Sequence, residues 1–158
     1  MNIWTLTDTH FGHMNMCDFE NRPLNFSDKI LKNTKTVVRP EDILIHLGDF
    51  CIGQDEKWHK EFFSRVKVTS WLVLGNHDKK SMTWYLSHGW GMVCSSVLLK
   101  LYGKKILLSH HREELLPEGV INVHGHSHSK GVSDETHIAL AIEKMGYAPG
   151  TLRKILGA

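Results

Sequence analysis

Five short apolar runs, each followed at once by a group rich in Asp, Asn or His, set the tightest limit on how this chain can fold. The runs are Ile3 to Leu6, Ile43 to Leu47, Trp71 to Leu74, Ile106 to Leu108, and Val120 to Val123. Near-continuous apolar runs of this length suit strands covered on both faces, as in the layers of an α/β protein. The groups that follow them are Asp8-Thr9-His10, Gly48-Asp49, Gly75-Asn76-His77-Asp78, Ser109-His110-His111, and His124-Gly125-His126-Ser127-His128. Open α/β sheets bind ligands at the carboxyl ends of their strands. Strands that deliver these side chains to one edge would converge them on one spot.

The intervening segments fit that plan. A helix is predicted over Phe26 to Val38, with Ser27 as a candidate N-cap and Pro40 just beyond its end. A second is predicted over Asp55 to Val66, where Trp58, Phe62 and Val66 share a face and Asp55 and Glu56 suit the first turn. A shorter one is predicted over Ser81 to Ser87. Alternation of strand and helix indicates at least partly parallel strands. From Val93 to Leu108 the pattern becomes two apolar runs flanking Tyr102-Gly103-Lys104, a hairpin, and the tail offers a strand near His137 to Ile142 and a helix from about Thr151. With no repeat or linker, residues 1–158 are expected to form a single domain.

Composition excludes several classes. Charged residues make up 23 % and the formal net charge is +2, with Lys79-Lys80 and Lys104-Lys105 only as pairs, so no basic run points to a nucleic acid or membrane surface. Cys17, Cys51 and Cys94 are sparse and odd in number, which argues for reduced thiols. The start, Met1-Asn2-Ile3-Trp4-Thr5, lacks the pattern of a signal peptide, and no apolar stretch approaches the ~20 residues of a membrane span. A cytoplasmic location is expected. Histidine is the outlier: there are 12, and His110, His111, His124, His126 and His128 cluster internally. Imidazole is the commonest metal ligand.

Carboxylates and imidazoles together suit Mn²⁺, Fe²⁺ or Zn²⁺, and the absence of Cys from the cluster weighs against a structural zinc site. One carboxylate can bridge two ions, and Asp49 is the candidate. Two divalent ions about 3.5–4 Å apart can activate a water and polarise a phosphoryl oxygen together. Glycines before Asp49, Asn76 and His126 permit close backbone approach.

In order and in full, these motifs resemble the calcineurin-like metallophosphoesterase family, whose pattern runs DxH, GD, GNH[D/E], H and GHxH. Here it reads Asp8-Thr9-His10, Gly48-Asp49, Gly75-Asn76-His77-Asp78, His110, and Gly125-His126-Ser127-His128. The resemblance spans residues 8 to 128. It implies a layered α/β/β/α sandwich of mixed sheets flanked by helices. It also implies two divalent ions, Mn²⁺ foremost, with Fe, Zn, Ni or Co as alternatives. Asp8, His10, Asp49 and His128 would hold one ion; Asp49, Asn76, His110 and His126 would hold the other. A bridging hydroxide would attack phosphorus in line, and the reaction would be hydrolysis of a phosphodiester or phosphomonoester. His77 would stabilise the phosphoryl charge or protonate the leaving group, with Asp78 as the acid beside it. Ile52 departs from family branches that carry a functional residue three positions after the bridging Asp, so a Tyr-ligated iron centre is not expected.

The expected substrate is a small phosphoester or nucleotide, with DNA or RNA as the alternative. The chain's 158 residues leave little room for the capping segments of repair nucleases. A non-catalytic scaffold of the same fold is a third reading, opposed by the complete ligand set and an intact His77. His111 and His13 are candidates for substrate contact, and His46 and His124 for packed or supporting roles. His59, His88 and His137 read as ordinary residues. Arg22 and Arg112 could pair with a phosphate, exposure being the commoner fate of such charges, and Trp4 and Trp71 read as core. Oligomeric state is not encoded in any pattern found.

Overall fold

Residues 1–158 are described by a computed structural model. The first half alternates as expected: β1 (Ile3–Leu6), α1 (Met16–Phe19), α2 (Phe26–Val37), β2 (Ile43–His46), α3 (Asp55–Arg65), β3 (Thr69–Val73), α4 (Met82–Ser87) and β4 (Met92–Cys94). The second half holds β5 (Ser96–Leu101), β6 (Lys104–Ser109), β7 (Val120–His124), β8 (His137–Ala139), β9 (Gly150–Thr151) and α5 (Leu152–Ile155). Three short elements, α1, β4 and β9, carry too few residues for periodicity to mark them.

Two mixed sheets flanked by helices result. The first has the order β4-β3-β2-β1-β9, with β1 to β4 parallel and β9 antiparallel to β1. The second has the order β5-β6-β7-β8, where β5 and β6 form the expected antiparallel hairpin and β6, β7 and β8 run parallel. Tyr102 (φ 52°) and Gly103 (φ 73°) both take left-handed backbone at the hairpin tip, the requirement of a two-residue turn whose twist matches its strands.

The apolar runs are continuous because their strands feed two cores. Leu6, Leu44 and Leu72 point into one cluster with Phe26, Ile30 and Leu31 of α2 and Phe62 of α3. Ile45, Leu47 and Val73 join another that includes Ile106 and Leu108 of β6, Val123 of β7 and Leu152 of α5. Alternate residues of one strand thus serve opposite faces. Trp4 and Trp71 pack against these cores, as read from the sequence.

One capping expectation is corrected. The second helix begins at Phe26, so Ser27 lies inside it, and its hydroxyl accepts from the Gly12 N–H at 3.1 Å instead. Ser81 does cap α4, accepting from Trp84 N at 3.1 Å. No helix is long and apolar enough to cross a membrane.

Two buried imidazoles make stability depend on pH. His59 packs against Phe50, Trp84 and Tyr85, and its Nδ1–H donates to the Asp55 carbonyl at 2.8 Å. Burial holds His59 down to about 4 and His46 down to about 3, from an ordinary 6.5. The unfolded chain takes up these protons near pH 6.5 while the native chain does not, so this stability is present above 6.5 and is lost as pH falls. Each group contributes a slope of about 1.4 kcal/mol per pH unit there. Urea unfolding at pH 7.5 and 5.0 should show the loss, and His59→Asn, which keeps a donor but cannot titrate, should reduce it by about 2 kcal/mol.

Candidate metal centre

Every motif lies just past the carboxyl end of a parallel strand. The first two loops run on side by side beyond β1 and β2: Leu47 N donates to Leu6 O at 2.8 Å, Asp8 N to Gly48 O at 3.0 Å, and His10 N to Asp49 O at 3.0 Å. This continued pairing brings Asp8 and His10 against Asp49. Loops of the second sheet reach the same place. His110 places Nδ1 2.8 Å from the Leu47 carbonyl, and the His126 N–H donates to Asp8 Oδ2 at 2.9 Å.

The two carboxylates each turn one oxygen outward and one inward. Asp8 Oδ2 accepts from His126 N and from the Thr7 hydroxyl at 2.5 Å. Its Oδ1 is buried without a partner, 3.9 Å from His10 Nε2 and 3.7 Å from His128 Nε2. Asp49 Oδ1 accepts from His77 N at 2.8 Å. Its Oδ2 sits in the centre, 3.6 Å from His10 Nε2, 3.4 Å from His110 Nε2 and 4.0 Å from His77 Nε2. Because a carbonyl only accepts, His110 carries a proton on Nδ1, and its Nε2, 3.0 Å from Asn76 Oδ1, faces the site.

The donor set fits divalent ions. Asp8, His10 and His128 form one group with ligand atoms within 4.8 Å of one another; Asp8, Asp49 and His110 form another; His110, His111 and His126 form a third. Both ring nitrogens of His10 are buried without a hydrogen-bond partner, as is Asp8 Oδ1, an arrangement that a bound cation resolves. Burial pushes the Asp8 carboxyl up to about 6 and drives His10 down to about 3. Asp49 stays below the carboxylate range: burial opposes this, but the hydrogen bond and charge of His110 and the His77 N–H prevail. A low-lying Asp49 and a neutral His10 are the protonation states a metal requires.

Backbone strain concentrates at the same spot. Nine non-glycine residues have positive φ, and Asp8, His10, Asp49, His126 and His128 are five of them. Non-glycine residues there cost on the order of 1–3 kcal/mol each and persist where surrounding contacts over-determine them. Two glycines supply that closeness. A Cβ on Gly75 would collide with Asp49, and one on Gly125 with Thr7 and Asp8.

Asp78 differs from the expectation that paired it with His77. Its Oδ2 accepts from Asp49 N and Gly75 N, both at 2.8 Å, and its Oδ1 from Phe50 N at 3.1 Å. The carboxylate is consumed in tying the second loop to the third. It therefore holds Asp49 in place, and the His77 ring, 44 % exposed, stands at the surface of the site without it.

Other candidates separate clearly. His13 lines a cleft of about 240 Å³ with His10, Met16, Phe19, His77 and His128, and Ile52 forms part of its wall. His111 is exposed, with its ring 4.1 Å from that of His126. His46 is buried beneath the site, accepting from Gly48 N on Nδ1 at 3.1 Å and bonded to Thr9 Oγ1 on Nε2 at 2.9 Å. His124 is buried at the end of β7. Arg112 pairs with Asp134 at 2.7 Å. Arg22 is 3 % exposed and bonded to backbone near Asp8, contrary to the exposed side chain expected. Glu143, 3.5 Å from His128 Nδ1, was missed. It lies in the turn after the apolar stretch Ile138 to Ile142, beyond the end of β8 at Ala139, where no strand-end rule reaches it.

A layered α/β fold with an Asp and His cluster able to hold metal at its strand ends defines the metallophosphoesterase class. The chain belongs to the calcineurin-like phosphoesterase family, whose pattern matches residues 1–148. Uncharacterized protein MJ1445 of Methanocaldococcus jannaschii is 26 % identical over 169 residues, covering 98 % of this chain and 89 % of its own. The crystal structure of AQ665, a protein of unknown function from Aquifex aeolicus, superposes with a TM-score of 0.81 at 26 % identity, covering 99 % and 98 % of the two chains. YfcE, a phosphoesterase from E. coli, shares the fold at a TM-score of 0.51 and 16 % identity, covering 88 % of this chain and 78 % of its own.

Removing the Asp78 carboxylate strands three backbone donors. Asp78→Ala should lower the stability of the metal-free protein by about 3 kcal/mol in urea denaturation. Asp78→Asn, which keeps one acceptor oxygen, should lose roughly half of that.

Proposed function

We propose that residues 1–158 form one domain that hydrolyses a phosphodiester or phosphomonoester with two divalent ions. The observation that carries this reading is the placement of Asp49 Oδ2, within 4.0 Å of His10, His110 and His77 and between the two ligand groups. One ion is assigned to Asp8, His10, Asp49 and His128, the other to Asp49, Asn76, His110 and His126. Mn²⁺ is the first choice for this oxygen and imidazole set. When bound, such ions supply a nucleophile from water at neutral pH and polarise phosphoryl oxygens.

The chain's own groups do the remainder. The cleft beside His10 and His128 receives one substituent of the ester, with Met16, Phe19 and Ile52 on its walls. Its volume of about 240 Å³ suits one small substituent, which a small ester, a nucleotide or one residue of a nucleic acid strand would supply. His77 borders the same cleft, anchored by its own backbone N–H on Asp49 Oδ1 at 2.8 Å. Its ring is free to donate a proton to the departing oxygen or a hydrogen bond to the phosphoryl group. Such a donor is worth about 10²–10⁴ in rate.

Turnover of bis-p-nitrophenyl phosphate and p-nitrophenyl phosphate, measured with Mn²⁺, Co²⁺, Ni²⁺ and Zn²⁺, tests the proposal. His77→Ala should lose about 10²–10⁴ in kcat while elemental analysis finds its metal content unchanged. Folded, metal-loaded protein that turns over neither ester with any ion would refute the catalytic reading.

A further inference from the structure

Arg22 and Glu143 stand 121 positions apart, outside every motif, yet they meet directly behind the candidate centre. The guanidinium is buried and lies 5.1 Å from the centroid of the Phe26 ring. Its Nε donates to Glu143 Oε1 at 2.8 Å, and Nη2 reaches the same oxygen at 2.5 Å. Nη1 donates to the Thr9 carbonyl at 2.7 Å, and Nη2 to the Asp8 carbonyl at 2.8 Å. Glu143 Oε1 in turn lies 3.5 Å from His128 Nδ1, and no closer partner satisfies that nitrogen. On the far side of the imidazole, His128 Nε2 faces Asp8 Oδ1 at 3.7 Å. The contacts close a ring from Arg22 through Asp8 and His128 to Glu143 and back.

Stability alone gives a weak account of this pair. A buried ion pair loses so much hydration that well-packed apolar residues often serve as well or better. What apolar residues cannot do is grip two carbonyls and orient an imidazole. A carboxylate on one ring nitrogen of a metal-binding histidine fixes the proton there and leaves the other nitrogen's lone pair for the ion. Asp8, His10 and His128 all take left-handed backbone, at φ 51°, 46° and 46°, so this side of the centre needs outside restraint.

We infer that Arg22 and Glu143 are positioning residues for one of the two ions. Glu143 sets the tautomer and angle of His128, and Arg22 locks Glu143 to the loop bearing Asp8 and His10. The inference rests on the two-ion reading above.

Mn²⁺ binding by isothermal titration calorimetry, supported by the visible spectrum of the Co²⁺-loaded protein, provides the test. The unaltered chain should take up two ions. Glu143→Ala should weaken one of them about 10- to 100-fold and alter its Co²⁺ bands, while the other binds as before. Glu143→Gln keeps an oxygen toward His128 Nδ1 and should restore most of the lost affinity, a rescue that depends on the hydrogen bond and not on bulk. Arg22→Lys keeps a cation but not the fork onto two carbonyls and a carboxylate, and it should weaken the same ion. Circular dichroism of the metal-free variants checks folding; if Glu143→Ala does not fold, Arg22→Lys decides. Folded variants that bind both ions as tightly as the unaltered chain would overturn the inference. An unaltered chain that takes up no Mn²⁺ would overturn the two-ion reading beneath it instead.

Discussion

Two carboxylates buried in one pocket, Asp8 at 0 % and Asp49 at 2 % exposure, create the electrostatic problem around which the rest is organised. Like charges held away from water repel strongly, and each also loses its hydration. The chain answers on the outer oxygens, where Thr7, His126 N and His77 N donate hydrogen bonds. It leaves the inner ones, Asp8 Oδ1 and Asp49 Oδ2, facing imidazoles. Burial keeps His10 neutral, and a neutral imidazole brings no positive charge to either oxygen. A divalent cation does. Burial, favourable throughout both apolar cores, here stores an unmet demand for positive charge.

The backbone is arranged for the same end. A strand that simply continued would project alternate side chains to opposite faces. Left-handed residues at Asp8, His10 and Asp49 bend the loops out of extended geometry, so that these three side chains meet while Thr9 turns down to His46. The cost is tolerable because the loops are pinned repeatedly: to each other by paired amides, to the third loop by the Asp78 carboxylate, and at their base by His46 and Thr9. Phe11 and Phe50, packed at 5.0 Å between ring centroids, anchor the far ends in the main core. Strain and rigidity are two aspects of one construction.

This explains what the sequence disclosed. Parallel strands buried on both faces must be apolar along their length, so the runs from Ile3, Ile43, Trp71, Ile106 and Val120 marked the strands, and the polar groups after them marked the site edge. Hydrogen-bond direction left no such trace. Asp78 is adjacent to His77 in the chain, but its oxygens turn toward Asp49, Phe50 and Gly75. Ser27 has the chemistry of a cap, but a loop amide from Gly12 claims its hydroxyl. Arg22 reads as a surface cation until the chain returns 121 residues later with Glu143. Residue type is local information; the partner of a buried polar group is not.

The position of the site also separates what must stay fixed from what is free to vary. Asp8, His10, Asp49 and Asn76 come from loops of the first sheet, and His110, His126 and His128 from loops of the second. A cation held by both groups therefore ties the sheets together, and its binding free energy adds to folding free energy. Any change that shifts one sheet against the other disturbs the centre, which confines tolerable variation to segments outside the seam. The stretch from Phe11 to Asn25, apart from the buried Arg22, is such a segment. Phe11 and Met16 root it in the core, while Met14, Phe19 and Leu24 remain 50 %, 68 % and 80 % exposed. Phe19 and His13 reach the cleft from that stretch without contributing to the pairing that holds the carboxylates. Side chains can thus change there while the charge-balancing geometry beneath stays the same.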